Sequence, residues 1–154
     1  MSLNCPDGPT AEGCLDYPLK PLREDSKASA KAGAKPARTA YRPLQRFEIP
    51  VPIGPHPTAR CCLVELKPRT GRRHQLRRHM AHLRHPVIGD TRHGDGAWNR
   101  LFRDRFPCHR LLLEAVELHF RHPHTRQPLT VRVSPATSLH QQLLLLQPFR
   151  SSAQ

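Results

Sequence analysis

The alternation of apolar and polar residues is tightest from residue 60 onward. Cys62, Val64 and Leu66 alternate with Cys61, Leu63 and Glu65, so both faces carry apolar groups and the stretch predicts a largely buried strand. A Thr70-Gly71 turn then opens a helix beginning near Arg72, in which Leu76, Met80 and Leu83 recur at i, i+4 and i+7 as one apolar stripe. At about 100° per residue, Arg73, Arg77 and Arg84 border that stripe, whereas Arg78 and His82 point to solvent. His85-Pro86 stops the helix and Gly89-Asp90 supplies the next turn. Leu111–Phe120 and Pro128–Val133 predict a hairpin, with Leu118 and Phe120 facing Leu129, Val131 and Val133. Ser138–Leu146 predicts a short terminal helix ended by Pro148.

Upstream of residue 60 the periodicity fades. Leu15-Asp16-Tyr17-Pro18-Leu19 reads as a short extended piece. Residues 23–40 are small, charged and aperiodic, and Gly33 and Pro36 interrupt any nascent helix, so a mobile loop or linker is expected. Prolines 50, 52, 55 and 57 exclude a central strand there and imply an extended connector.

Charge narrows the function. A formal net charge of +13 on 154 residues, from 25 Lys+Arg against 12 Asp+Glu, favours association with nucleic acid or an anionic surface. Membrane insertion is not expected, because the longest apolar block, Leu143–Leu146, falls far short of the roughly 18 residues of a span. The N-terminus lacks the basic-then-apolar layout of a signal peptide, and the five cysteines, an odd number without paired spacing, read as reduced thiols of a cytoplasmic protein. No metal is expected. Cys61 and Cys62 are adjacent, without the gap that lets two sulfurs reach one tetrahedral ion, and Gln75 stands where an HExxH motif needs its glutamate.

The candidate chemistry lies in the cationic helix. Arginine clamps phosphate bidentately and stacks on bases, so Arg72, Arg73, Arg78 and Arg84, with His74, are candidate RNA-binding residues. These residues alone describe an RNA-binding α+β domain with an arginine-lined groove. Trp98 reads as a packing or lid residue, and Gly71, Gly89 and Gly94 as tight-turn glycines.

The spelling is more specific than the charge. Thr70-Gly71-Arg72-Arg73-His74-Gln75-Leu76-Arg77-Arg78-His79, then His82-Leu83-Arg84-His85-Pro86-Val87-Ile88-Gly89-Asp90, His93-Gly94-Asp95 and Asn99-Arg100, resembles the second conserved block of the RluA-type pseudouridine synthases. Leu15-Asp16-Tyr17-Pro18-Leu19 and His122-Pro123, Thr125, Pro128-Leu129 match in order, so the likeness spans about residues 13–133 and is nearest to one tRNA-modifying branch. It departs at Arg126-Gln127, where the family usually has Gly-Glu.

The resemblance implies an α+β fold, the C-terminal portion of the catalytic domain, mainly antiparallel sheet with a few short helices. The implied division is residues 1–22 as a partial catalytic-domain segment, 23–59 as a flexible Pro-rich loop or linker, 60–136 as the C-terminal part of the catalytic domain, and 137–154 as a helix and tail. It implies isomerisation of uridine to pseudouridine in tRNA or rRNA, without metal or organic cofactor. Family members attack the nucleotide with an aspartate in an HRLDxxTSG segment upstream of the LDYPL piece, and this chain begins at about that piece. A truncated member, inactive alone and in need of an N-terminal fragment, is therefore expected. Asp16, Asp90 and Asp95 match other positions of the pattern, Asp104 lies in a basic stretch, and none is expected to replace the nucleophile. Arg77 maps onto the arginine that pairs with the catalytic aspartate; without it, Arg77 is expected to stand as an unpaired cation in a half-built cleft. The alternative function is a non-catalytic basic RNA-binding module.

Overall fold

A computed structural model of the chain describes residues 2–4, 9, 11–22, 33–133 and 138–151. Four strands form one antiparallel sheet: β1 (Ser2–Asn4), β2 (Gly13–Asp16), β3 (Arg38–Ile49) and β4 (Ala59–Pro68), in the order β1-β4-β3-β2. Helices α1 (Gln75–His82) and α2 (Gly96–Arg105) follow, then a separate hairpin of β5 (Glu117–Arg121) and β6 (Pro128–Arg132). Helix α3 (Ser138–Leu146) runs into a 3-10 turn at Gln147–Phe149, where Pro148 stands. The expected α+β class, with antiparallel sheet and short helices, is what the chain adopts.

The sheet is buried from both sides. In β4, Cys61 and Leu63 join a core with Trp98, Phe102 and Phe106 of α2 and Leu139 and Leu146 of α3. Cys62, Val64 and Leu66 point the other way, into a second cluster with Met80 of α1 and Val87. The two adjacent cysteines therefore lie on opposite faces, as the two-residue period of a strand dictates. Burial pushes the Cys61 thiol far above its usual value, so it packs as a small apolar group.

Strand β3 corrects the reading of residues 38–49, which fall inside the stretch expected to be linker; residues 23–32 of that stretch lie outside the described ones. Its register against β4 slips between Pro43 and Gln45, leaving Leu44 as an extra residue. That bulge changes which face the odd-numbered side chains occupy. Tyr41 packs with the α1 cluster, whereas Phe47 and Ile49 enter the α2–α3 core. Pro43 sits beside the irregularity, where the missing N–H is tolerated. The four prolines of the connector lie beyond the end of the strand, in turns between β3 and β4.

The late hairpin is shorter than its pattern. Only Glu117–Arg121 forms β5, because the preceding segment runs against the body of the protein: Leu112 is fully buried and its amide donates to the Ile88 carbonyl at 2.9 Å. Leu118 pairs with Val131 and Phe120 with Leu129, as the alternation requires. Among the described residues, no helix is long and apolar enough to cross a membrane.

Candidate active site

The Thr70–His74 turn is fastened to β3 by a single buried amide. Gln75 Oε1 accepts from the Thr70 hydroxyl (2.8 Å) and the Arg72 amide (3.0 Å), while its Nε2 donates to the Arg38 carbonyl (2.9 Å) and Thr39 Oγ1 (3.1 Å). Thr70 Oγ1 also accepts from the Arg38 amide at 2.9 Å. Every polar atom of Gln75 is thereby satisfied, which is what makes a buried amide affordable at all. The structural use of Gln75 explains why it stands where a metalloprotease would need a base.

A second buried group extends this network. His79 is fully buried, with Nδ1 2.9 Å from Thr39 Oγ1 and Nε2 3.0 Å from the Tyr17 carbonyl. A carbonyl only accepts, so Nε2 carries the proton and Nδ1 accepts from the threonine hydroxyl. Burial, reinforced by His82 and Arg78, pulls the His79 pKa below its usual value despite the Tyr17 carbonyl, in keeping with a neutral ring. The histidine thus ties the Leu15–Leu19 piece to α1 through β3, and Tyr17 stacks on His82 at 3.7 Å.

Helix α1 starts at Gln75, one turn later than the periodicity predicts, because His74 adopts a left-handed conformation (φ 52°). Arg72 and Arg73 consequently stand on the exposed turn before the helix. At the other end, Arg84 is also left-handed (φ 61°); its amide bonds the Ala81 carbonyl and the His85 amide the Met80 carbonyl, both near 3 Å. This is a Schellman closure with arginine where glycine is favoured, followed by Pro86. Arg84 therefore lies beyond the helix and does not share a row with Arg73 and Arg77.

Arg77 is not an unpaired cation. Its Nε donates to Asp90 Oδ2 (2.8 Å) and its Nη2 to Asp90 Oδ1 (2.7 Å), a bidentate pair in which the Asp90 side chain is entirely buried and the Arg77 side chain is 19% exposed. The Arg92 and His93 amides also donate to Oδ1, at 2.9 and 2.8 Å. Burial opposes ionisation of Asp90, but these four N–H donors outweigh it and hold the carboxyl at about 2. The turn that presents Asp90 is itself locked: Asn99 accepts from the Gly89 amide (2.7 Å) and donates to the Asp90 carbonyl (2.9 Å). Gly94 is packed so closely that a Cβ there would lie 2.1 Å from the Asp90 carbonyl oxygen. Asp90, His93 and Asn99 belong to the spelling that carries the family resemblance, yet their part in holding Arg77 is visible only in three dimensions.

Beside this pair, His74 Nδ1 and His93 Nε2 approach to 3.2 Å. Burial lowers both histidines' pKa values, with help from Arg77, Arg92 and, for His74, Arg73, against the opposing charge of Asp90. One ring must donate and the other accept, so a single proton lies between the two nitrogens. Arg77 uses one edge of its guanidinium on Asp90, leaving its other N–H groups for an incoming anion. Asp90 has both oxygens engaged and no exposed surface, which disqualifies it as a nucleophile.

The sequence-derived candidates separate into three places. Arg77 and His74 meet at the Asp90 turn; Arg72, Arg73 and Arg78 line a concavity on another flank of α1; Arg84 stands apart at the helix's far end. Trp98, 5% exposed, packs against Phe102 in the core. Among the described residues, no group of three or more His, Cys, Asp or Glu side chains is placed to hold a metal ion.

The family model described as RNA pseudouridylate synthase matches residues 5–82. The chain belongs to this family. It is 56% identical over 121 residues to tRNA pseudouridine synthase C of Vibrio cholerae, a match covering 77% of this chain and 50% of that protein. It is 50% identical to the protein of the same name from Salmonella typhi, covering 79% and 48%. The branch suggested by the finer spelling is therefore tRNA pseudouridine synthase C, and the chain spans about half the length of the curated relatives it matches. In fold it is similar to human RNA Pseudouridylate Synthase Domain Containing 4 (TM-score 0.64, 22% identity, 95% of this chain and 60% of that one). Human RNA Pseudouridylate Synthase Domain Containing 1 gives a TM-score of 0.61 at 23% identity, covering 90% and 55%.

Proposed function

We propose that this chain carries the RNA-clamping and nucleophile-orienting half of an RNA pseudouridine synthase that isomerises uridine in tRNA or rRNA. The observation that carries the reading is the Arg77–Asp90 pair: a buried carboxylate fixes the Nε–Nη2 edge of a guanidinium and does not engage its Nη1. Such a cation holds a second carboxylate ionised and aimed. Asp90 is the carboxylate that bonds Arg77 among the described residues, so the attacking aspartate is to come from the part of the relatives' length that this chain does not span. Arg72, Arg73, His74, Arg78 and Arg84 engage the RNA, the reaction uses no metal or organic cofactor, and a tRNA substrate places it in the cytoplasm.

Tritium release from 5-tritiated uridine in tRNA tests this. The 154-residue chain is expected to be silent alone and to turn over when mixed with the N-terminal half of a relative. In that mixture Arg77→Ala lowers turnover about 100-fold with RNA binding retained. Turnover by the chain alone overturns the assignment of the nucleophile to the unspanned part. Equal weakening of binding and turnover favours the second reading, a non-catalytic RNA-binding module, which the clustered arginines of the Thr70–His74 turn support.

A further inference from the structure

Lys20 and Lys35 have no part in the site described above, yet the fold brings them to the same concavity as Arg72, Arg73 and Arg78. We infer that this concavity is a dedicated site for a backbone phosphodiester of the RNA, on a different flank of α1 from Arg77. The inference rests on the RNA reading and adds a site to it.

The concavity holds about 160 Å³ and is lined by Leu19, Lys20, Pro21, Lys35, Gly71 and the three arginines. The space admits a phosphate group. Among the described residues, five of its lining side chains are cationic and none is acidic. Among the described residues, no carboxylate pairs with Lys20, Lys35 or Arg78. Like charges gathered in one hollow repel one another, and a bound anion removes that penalty.

The walls are built by long-range bonds. Leu19 is buried, and its amide and carbonyl both bond Lys35, at 2.9 and 3.0 Å, which sets the two lysines on neighbouring strands of chain. Arg72 Nε donates to the Pro36 carbonyl at 3.1 Å, closing the turn onto the same segment. The lysine and arginine walls come from segments far apart in sequence, Lys20 and Lys35 on one side and Arg72, Arg73 and Arg78 on the other, and the Gln75 and His79 networks fix β3 and α1 between them. Lysine serves here as a point charge and arginine as a fork, a pairing suited to a phosphate and without the aromatic face a base would need.

The test is the salt dependence of RNA binding by the full chain, using a labelled tRNA stem-loop. Lys20→Ala/Lys35→Ala is compared with Arg103→Ala/Arg105→Ala, which removes the same charge from exposed positions of α2. The lysine pair is expected to lose about tenfold in affinity at low salt and about 1 from the log–log salt slope, with a Tm no lower than the parent's, while the α2 pair stays near the parent in affinity. Equal effects of the two variants overturn the site and leave general electrostatics. If the lysine pair abolishes binding of inorganic phosphate, followed by calorimetry, but leaves the RNA slope intact, the site takes free phosphate and the RNA assignment fails. If the unsubstituted chain shows no salt-dependent RNA binding, the RNA reading itself falls, a result distinct from failure of the pocket.

Discussion

Strand β4 and the β5–β6 hairpin carry similar apolar alternation and meet opposite fates. In β4 both faces are covered, Cys61 and Leu63 by α2 and α3, Cys62, Val64 and Leu66 by α1. In the hairpin, Leu118, Phe120, Leu129, Val131 and Val133 share one face and remain 38–60% exposed. The opposite face is polar, with Glu117 bonded to Arg132 and His119 (2.6 Å each) and His119 to Thr130 (2.8 Å). A two-stranded hairpin without cover is marginal on its own. Alternation therefore specifies a strand and its register, whereas burial depends on which other elements arrive.

The contrast makes the energetic cost of truncation strongly position-dependent. Phe47→Ala, which empties the core against β4, is expected to cost about 3–5 kcal/mol, and Phe120→Ala in the hairpin about 0.5 kcal/mol or less, both read from urea midpoints. Similar losses at the two phenylalanines would break the comparison.

The buried polar side sharpens it. Asp90→Ala strands a partly buried guanidinium and two amides, and is expected to cost about 3 kcal/mol in the same measurement. A loss no larger than that of an exposed ion pair such as Arg38–Asp16 would mean that the Asp90 turn is not a fixed element.

The same side titrates. His79, His74 and His93 have folded pKa values below the usual 6.5, so as pH falls below about 6.5 the unfolded chain binds protons that the folded chain refuses. Stability is expected to decline from there, before carboxylates contribute. Asp90 adds stability that is present above its ordinary value of 3.8 and is lost as pH falls toward about 2. Thermal melts across a pH series check both windows; a curve flat from pH 7 to about pH 5 would refute the buried neutral histidine. A small effect of opposite sign lies at the helix end, where Arg84→Gly relieves the left-handed arginine and raises stability by up to about 1 kcal/mol.

How much was legible follows the range of the interactions involved. The buried β4 strand, the Leu76, Met80 and Leu83 stripe, the hairpin register and the family spelling all rest on local periods or contiguous words. Strand β3 was hidden because Thr39, Pro43 and Gln45 occupy inward or half-buried positions, and because the Leu44 bulge breaks the two-residue period midway. The helix start was misplaced because His74 leaves the helical region without any residue type that announces it.

By itself the sequence determined the family, the α+β class and the cationic character of the Thr70–His85 block, since each is written in residue types and short spacings. Only the tertiary structure decided that Arg77 is gripped by Asp90, that Gln75 and His79 are structural, and that Lys20 and Lys35 join Arg72, Arg73 and Arg78. Those assignments need segments far apart in the chain to close on one another, and the fully bonded polar groups buried between them set where they meet.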